Sequence, residues 1–104
     1  MKSITIPKAD YGFSIPFIVL QPSGLPLNLT DMTITLKVWR PGMPEDLLVS
    51  GSCSIDVAAS GTCHYVVTST DFQVEGTFDA ELELTQSGMR ESVLPFQIIV
   101  SESG

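Results

Sequence analysis

The chain has 104 residues, 43% of them hydrophobic and 16% charged, with a formal net charge of −7 and a mean hydropathy of +0.27. That length supports one domain, residues 1–104, with a single core. Five basic residues (Lys2, Lys8, Lys37, Arg40 and Arg90) are scattered along the chain. They offer no stripe to neutralise phosphates, which argues against nucleic acid and against an anionic membrane surface as partners.

Turn residues punctuate the sequence at short intervals, and the runs between them favour strands. KSITIP (2–7) alternates apolar with polar residues. FSIPFIVL (13–20) is apolar nearly throughout but contains Pro16, which cannot donate to a central ladder and so marks an edge strand or a bend. The same run is too short for a membrane helix and leads into QPSG rather than a cleavage site, so the protein is expected to be made without a secretion signal. PSGLP (22–26) is a turn cluster, and Asn28-Leu29-Thr30 is better explained as a turn than as a glycosylation acceptor. TITLKVWR (33–40) sends Ile34, Leu36 and Val38 one way and Thr33, Thr35, Lys37 and Trp39 the other.

RPGMPED (40–46) is expected to be a loop carrying Met43, and Met89 is placed in a loop as well. SCSIDV (52–57) and TCHYVVT (62–68) flank AASG and are predicted to form a hairpin. With Val57 opposite Cys63, the two cysteines would share a face but lie roughly 13 Å apart along the strands, too far for a disulfide, so buried free thiols are expected unless a bulge or different register brings them together. GTFDAELEL (76–84) begins the next strand, QSG (86–88) is its turn, and ESVLPFQIIV (91–100) is the last strand. STDFQVEG (69–76) allows one helical turn at most. About seven antiparallel strands in two sheets describe an all-β, immunoglobulin-like β-sandwich, with a jelly roll or small barrel as the alternative.

No pattern of catalytic residues emerges. His64, the only histidine, is predicted to point outward, no GxSxG elbow is present, and two cysteines with one histidine do not complete a zinc site. The acids are too dispersed for a calcium loop. No catalytic, cofactor-binding or metal-ligating residue is therefore assigned, and the protein is expected not to be an enzyme. On 76–85, Gly76, Phe78, Ala80, Leu82 and Leu84 face the core, while Thr77, Asp79, Glu81, Glu83 and Thr85 face out. Neighbouring carboxylates on such a row stand ~6.6 Å apart. A flat row lacks the opposed geometry of a glycosidase cleft, leaving a solvated face or a docking strip.

The sequence DYGFSIPFIVLQPSGLPLNLTDMTITLKVWRPG (10–42) resembles the opening of phage baseplate upper protein amino-terminal domains. In that family a D-x-G step and an apolar strand precede a G-x-P-x-(D/N)-L-T turn, matched here by Gly24, Pro26, Asn28, Leu29 and Thr30, which feeds a T-I-T-x-x-V strand. In the second half Gly61, Tyr65, Asp71, Gly76, Ala80, Glu81, Leu82 and Glu83 match, and LPFQIIV (94–100) resembles the final strand. Phe78 departs from the pattern where an aromatic hydroxyl is usual. The resemblance implies an immunoglobulin-like assembly module of the virion tail or baseplate, with no catalytic residues to carry over. Its partners would be other tail or baseplate proteins, and it would form a homo-oligomer within the assembly. It would be either a stand-alone adaptor or the anchoring end of a fibre.

Trp39 is the leading interface candidate, because tryptophan is enriched among interface hot spots. Met43, Asp79, Glu81 and Glu83 complete the candidate set. Packing of Trp39 under the RPGMP loop is the structural alternative. The rival class is a surface module recognising carbohydrate or a host protein through Tyr11, Phe13 or Phe72.

Overall fold

In the computed structural model, which describes residues 2–102, hydrophobic alternation resolves into eight strands. They are β1 (Lys2–Pro7), β2 (Ser14–Ile18), β3 (Thr33–Arg40), β4 (Met43–Ser52), β5 (Ser54–Val57), β6 (Thr62–Val66), β7 (Gly76–Gln86) and β8 (Met89–Ser101). A five-stranded sheet runs β1-β8-β7-β3-β4 and faces a three-stranded sheet, β2-β6-β5. Having β2, β6 and β5 on one sheet and β8, β7, β3 and β4 on the other is an immunoglobulin-like arrangement. An isolated bridge between Leu20 and Pro26 adds to the strands.

The core forms where the inward rows meet. Ile34, Leu36 and Val38 from β3 pack with Phe78, Ala80, Leu82 and Leu84 from β7 and with Phe96, Ile98 and Val100 from β8. Ile15 and Phe17 of β2, with Cys63 and Tyr65 of β6, close the other side. The rings of Phe17 and Phe96 meet at 5.6 Å between centroids. The expected alternation holds on 78–84, while Gly76, expected on the core side, is exposed at the start of β7; Pro16 does lie on an edge strand.

Four expectations need correction. The strands are not all antiparallel, because β1 runs parallel to β8, pairing Lys2 with Phe96 through Pro7 with Ser101. Residues 43–52 form strand β4 rather than a loop extending to residue 46, and Met43 and Met89 both open strands. The β3–β4 ladder passes from Arg40↔Met43 to Trp39↔Leu47, so Pro44, Glu45 and Asp46 bulge out of it. In the predicted hairpin, Ile55 rather than Val57 pairs with Cys63, and Val57 pairs with Thr62, so the register differs from the expected one by two residues at Ile55 and by one at Val57. The ladder has an irregularity between Ile55 and Val57 that strict alternation does not allow for, and the chain changes sheets at Cys53, whose amide N–H donates to the Ile34 carbonyl at 2.8 Å. The strands number eight rather than about seven, β4 being the addition; residues 69–75 form turns and bends, within the expected limit of one helical turn, and the helical piece is a short 3-10 turn at Ala58–Ser60.

Two details fix the ends of the sandwich. Gly61 ends the 3-10 turn at φ 68°, and its ideal Cβ would lie 2.5 Å from the Val19 carbonyl oxygen. Only glycine combines that left-handed backbone with so close an approach. At the β6–β7 corner, the buried Tyr65 hydroxyl donates to Asp71 Oδ2 at 2.5 Å, and the Thr68 amide donates to the same oxygen at 2.9 Å.

Candidate docking face

The period of two that buries one side of β3 and β7 forces their remaining side chains onto the outer face of the five-stranded sheet. Register then places them in rows. Trp39 stands opposite Asp79 on one side and Leu47 on the other, and Asp79 stands opposite Gln97. In the next row Glu81 faces Lys37, which faces Ser50. One row further, Glu83 lies between Thr35 and Ser92. Trp39 is half-buried, Leu47 is 40% exposed, and Met43 is 52% exposed at the hairpin end of β4. The structure thus gathers Trp39, Asp79, Glu81 and Glu83 on one face, with Met43 at its margin.

The three carboxylates are not equivalent. Glu83 Oε2 accepts from Lys37 Nζ at 2.8 Å and from Arg90 Nε at 2.8 Å, and only 13% of the Glu83 side chain is exposed. The Lys37 ammonium, and then the Arg90 guanidinium, hold the Glu83 carboxyl below its ordinary range against the opposing effect of burial. Lys37 therefore reaches diagonally past Glu81, its direct cross-strand neighbour. Asp79 and Glu81 take part in none of the ion pairs among the described residues. Arg40 turns the other way, its guanidinium 5.9 Å from the Phe78 ring centroid. Sequence periodicity found the row but missed the anchoring of Glu83, which depends on the β3 and β8 registers.

Other sequence-flagged residues have local roles. His64 Nδ1 lies 2.7 Å from Asp56 Oδ1 on the outer side of the smaller sheet. Asn28 Oδ1 accepts from the Thr30 amide and hydroxyl, the expected turn. Phe72 is buried, Phe13 is half-buried and Tyr11 is 65% exposed. Cys53 and Cys63 are free thiols, pushed up to about 12 and about 11 respectively, chiefly by burial. The Tyr65 hydroxyl is raised too, first by burial and then by its hydrogen bond to Asp71. A hollow of about 100 Å³ between Leu48 and the 70–74 segment, floored by Phe72 and Phe78, contains no titratable group. A more open space of about 350 Å³ is lined by residues 42–46 of the bulge.

A family model for the BppU N-terminal domain matches residues 3–104. The chain belongs to the BppU N-terminal domain family. It is thus a phage baseplate structural domain. Among solved structures it is similar to the N-terminal domain of phage TP901-1 ORF48, with a TM-score of 0.70 and 18% identity over 95% of this chain and 84% of that one. At that identity the likeness speaks for the fold. No curated protein matches the chain. As a BppU N-terminal domain, it has the immunoglobulin-like sandwich that its residues imply.

Proposed function

We propose that this BppU N-terminal domain is a non-enzymatic docking module of a phage tail baseplate, held to another baseplate protein through the outer face of its five-stranded sheet. The observation that carries the reading is the row Leu47–Trp39–Asp79, which leaves an indole half-covered between an exposed leucine on one side and a carboxylate on the other. A tryptophan in that setting gains most when a partner completes its burial. Met43 extends the contact along β4, and Asp79, Glu81 and Glu83 supply its polar rim. In an assembled baseplate the domain would recur in symmetry-related copies.

The test is incorporation of a tagged chain into tails assembled in infected cells. Trp39→Ala should fold with an unchanged β-sheet circular dichroism spectrum and yet be depleted from purified tails by about tenfold or more, the scale of a lost hot spot. Normal incorporation would refute this face as the dock. The carbohydrate- or host-recognition alternative has less support, because Phe72 and Phe13 are drawn into or against the core and leave Tyr11 alone.

A further inference from the structure

We propose that the partner segment seated on this face is cationic and presents arginine, with a guanidinium lodged between Asp79, Glu81 and the Trp39 indole. This rests on the docking reading above and adds the chemistry of what docks. The inference comes from how the charges on the face are distributed. Among the described side chains, the cations Lys37 and Arg90 converge on a single oxygen of Glu83. Their charge is used there, so Asp79 and Glu81 remain without an ion pair among the described residues, directly beside the half-buried indole. Glu45 and Asp46, exposed in the adjoining bulge, extend the negative rim past Leu47.

Covering this face with a neutral apolar surface would desolvate two carboxylates without compensation. A second copy docked by a two-fold axis would bring the same acids against themselves, in a chain that already carries −7. A cation removes both penalties. Arginine fits better than lysine, because its planar fork pairs with carboxylates while its flat face stacks on an aromatic ring. The same surface predicts association that is fast at low salt and slows as salt screens it.

The chain has one tryptophan, so Trp39 emission reports on this face directly. The folded domain is titrated with a hexa-arginine peptide, in parallel with hexa-lysine and hexa-citrulline, at low and at physiological salt. Saturable change in Trp39 emission is expected, tightest for hexa-arginine and absent for neutral hexa-citrulline. Asp79→Asn with Glu81→Gln should weaken hexa-arginine binding by about tenfold. Asp10→Asn with Asp31→Asn removes the same charge from elsewhere and should change it less than about twofold. Equal weakening in the two double variants, equal affinity for hexa-lysine, or no saturable emission change would overturn the proposal. Failure here alongside a Trp39→Ala chain that is still excluded from tails would leave the docking face intact and remove only its arginine partner. Normal incorporation of Trp39→Ala would remove the docking face itself.

Discussion

Replacing Tyr65 with phenylalanine tests whether the β6–β7 corner is held by one buried polar pair. Tyr65 is 5% exposed and Asp71 8%, and their 2.5 Å hydrogen bond joins a strand of the smaller sheet to the connection leading into β7. Tyr65→Phe keeps the ring and removes the donor, leaving the Asp71 carboxylate with the Thr68 amide. A hydrogen bond to a charged group contributes about 1.5–3 kcal/mol, and an abandoned buried acceptor keeps its desolvation penalty. For a domain of this size, a loss of about 2 kcal/mol lowers Tm by roughly 10 °C. The assay is urea and thermal unfolding of Tyr65→Phe, Asp71→Asn and the double variant. Their double-mutant cycle should show a coupling of about 1 kcal/mol or more. A Tyr65→Phe chain within about 0.5 kcal/mol of the parent, the range of ordinary surface changes, would refute this account of the corner.

Gly61→Ala forces a side chain into left-handed backbone and against the Val19 carbonyl oxygen, so it should destabilise by about 3 kcal/mol. Gly88→Ala, at φ 77° in open space, should cost only the conformational share of about 1 kcal/mol, as urea midpoints would show. Glu83→Gln should destabilise by about 1 kcal/mol near neutral pH. Because the Glu83 carboxyl is held low in the folded state, its contribution is present above the unfolded carboxylate pKa of about 4.3 and is lost as pH falls through the folded value. Tm measured from pH 7 down to pH 2 should therefore fall less steeply in the variant, and equal slopes would count against the ion-pair hub. Burial raises both thiols, so a disulfide reagent at pH 8 should label the folded chain about a hundredfold more slowly than the urea-unfolded chain. Comparable rates would mean the thiols are open to solvent.

Strands with one wet and one dry face were legible because their period is written in residue type. Ile34, Leu36 and Val38, like Phe78, Ala80, Leu82 and Leu84, alternate strictly with polar neighbours and are all buried. Strand β4 was not legible, since Val49 is its one buried residue and Pro44, Glu45 and Asp46 interrupt its ladder. Its existence is decided by pairing with β3, not by its own pattern. The parallel β1–β8 pairing was hidden for a different reason: it joins opposite ends of the chain, where local periodicity carries no information about direction. The register expected for the 52–68 hairpin failed, because the ladder shifts between Ile55 and Val57 and the chain changes sheet at Cys53. At the candidate face, the outward row was readable from sequence, while the distinction between the occupied Glu83 and Asp79 and Glu81, which have no ion pair among the described residues, depended on register.

Register also favours the proposed dock on the face over one on the free edge beside it. Slipping β7 by one residue against β3 would send Phe78, Ala80, Leu82 and Leu84 into water, so the core that buries them also holds Asp79 opposite Trp39. The outer face is therefore preorganised by residues buried in the core. The edge strand β4 is built in the opposite sense. Its three-residue bulge, Pro44 and the acids Glu45 and Asp46 break the regular row of donors and acceptors that an added strand would need. An added strand would find that ladder interrupted, whereas a side chain approaching the sheet meets a fixed indole flanked by fixed carboxylates. Shortening the bulge by deleting Pro44–Asp46 should accordingly promote concentration-dependent self-association, visible by light scattering, without improving arginine-peptide binding at Trp39. A deletion variant that stays as monomeric as the parent would show that the bulge does not guard the edge.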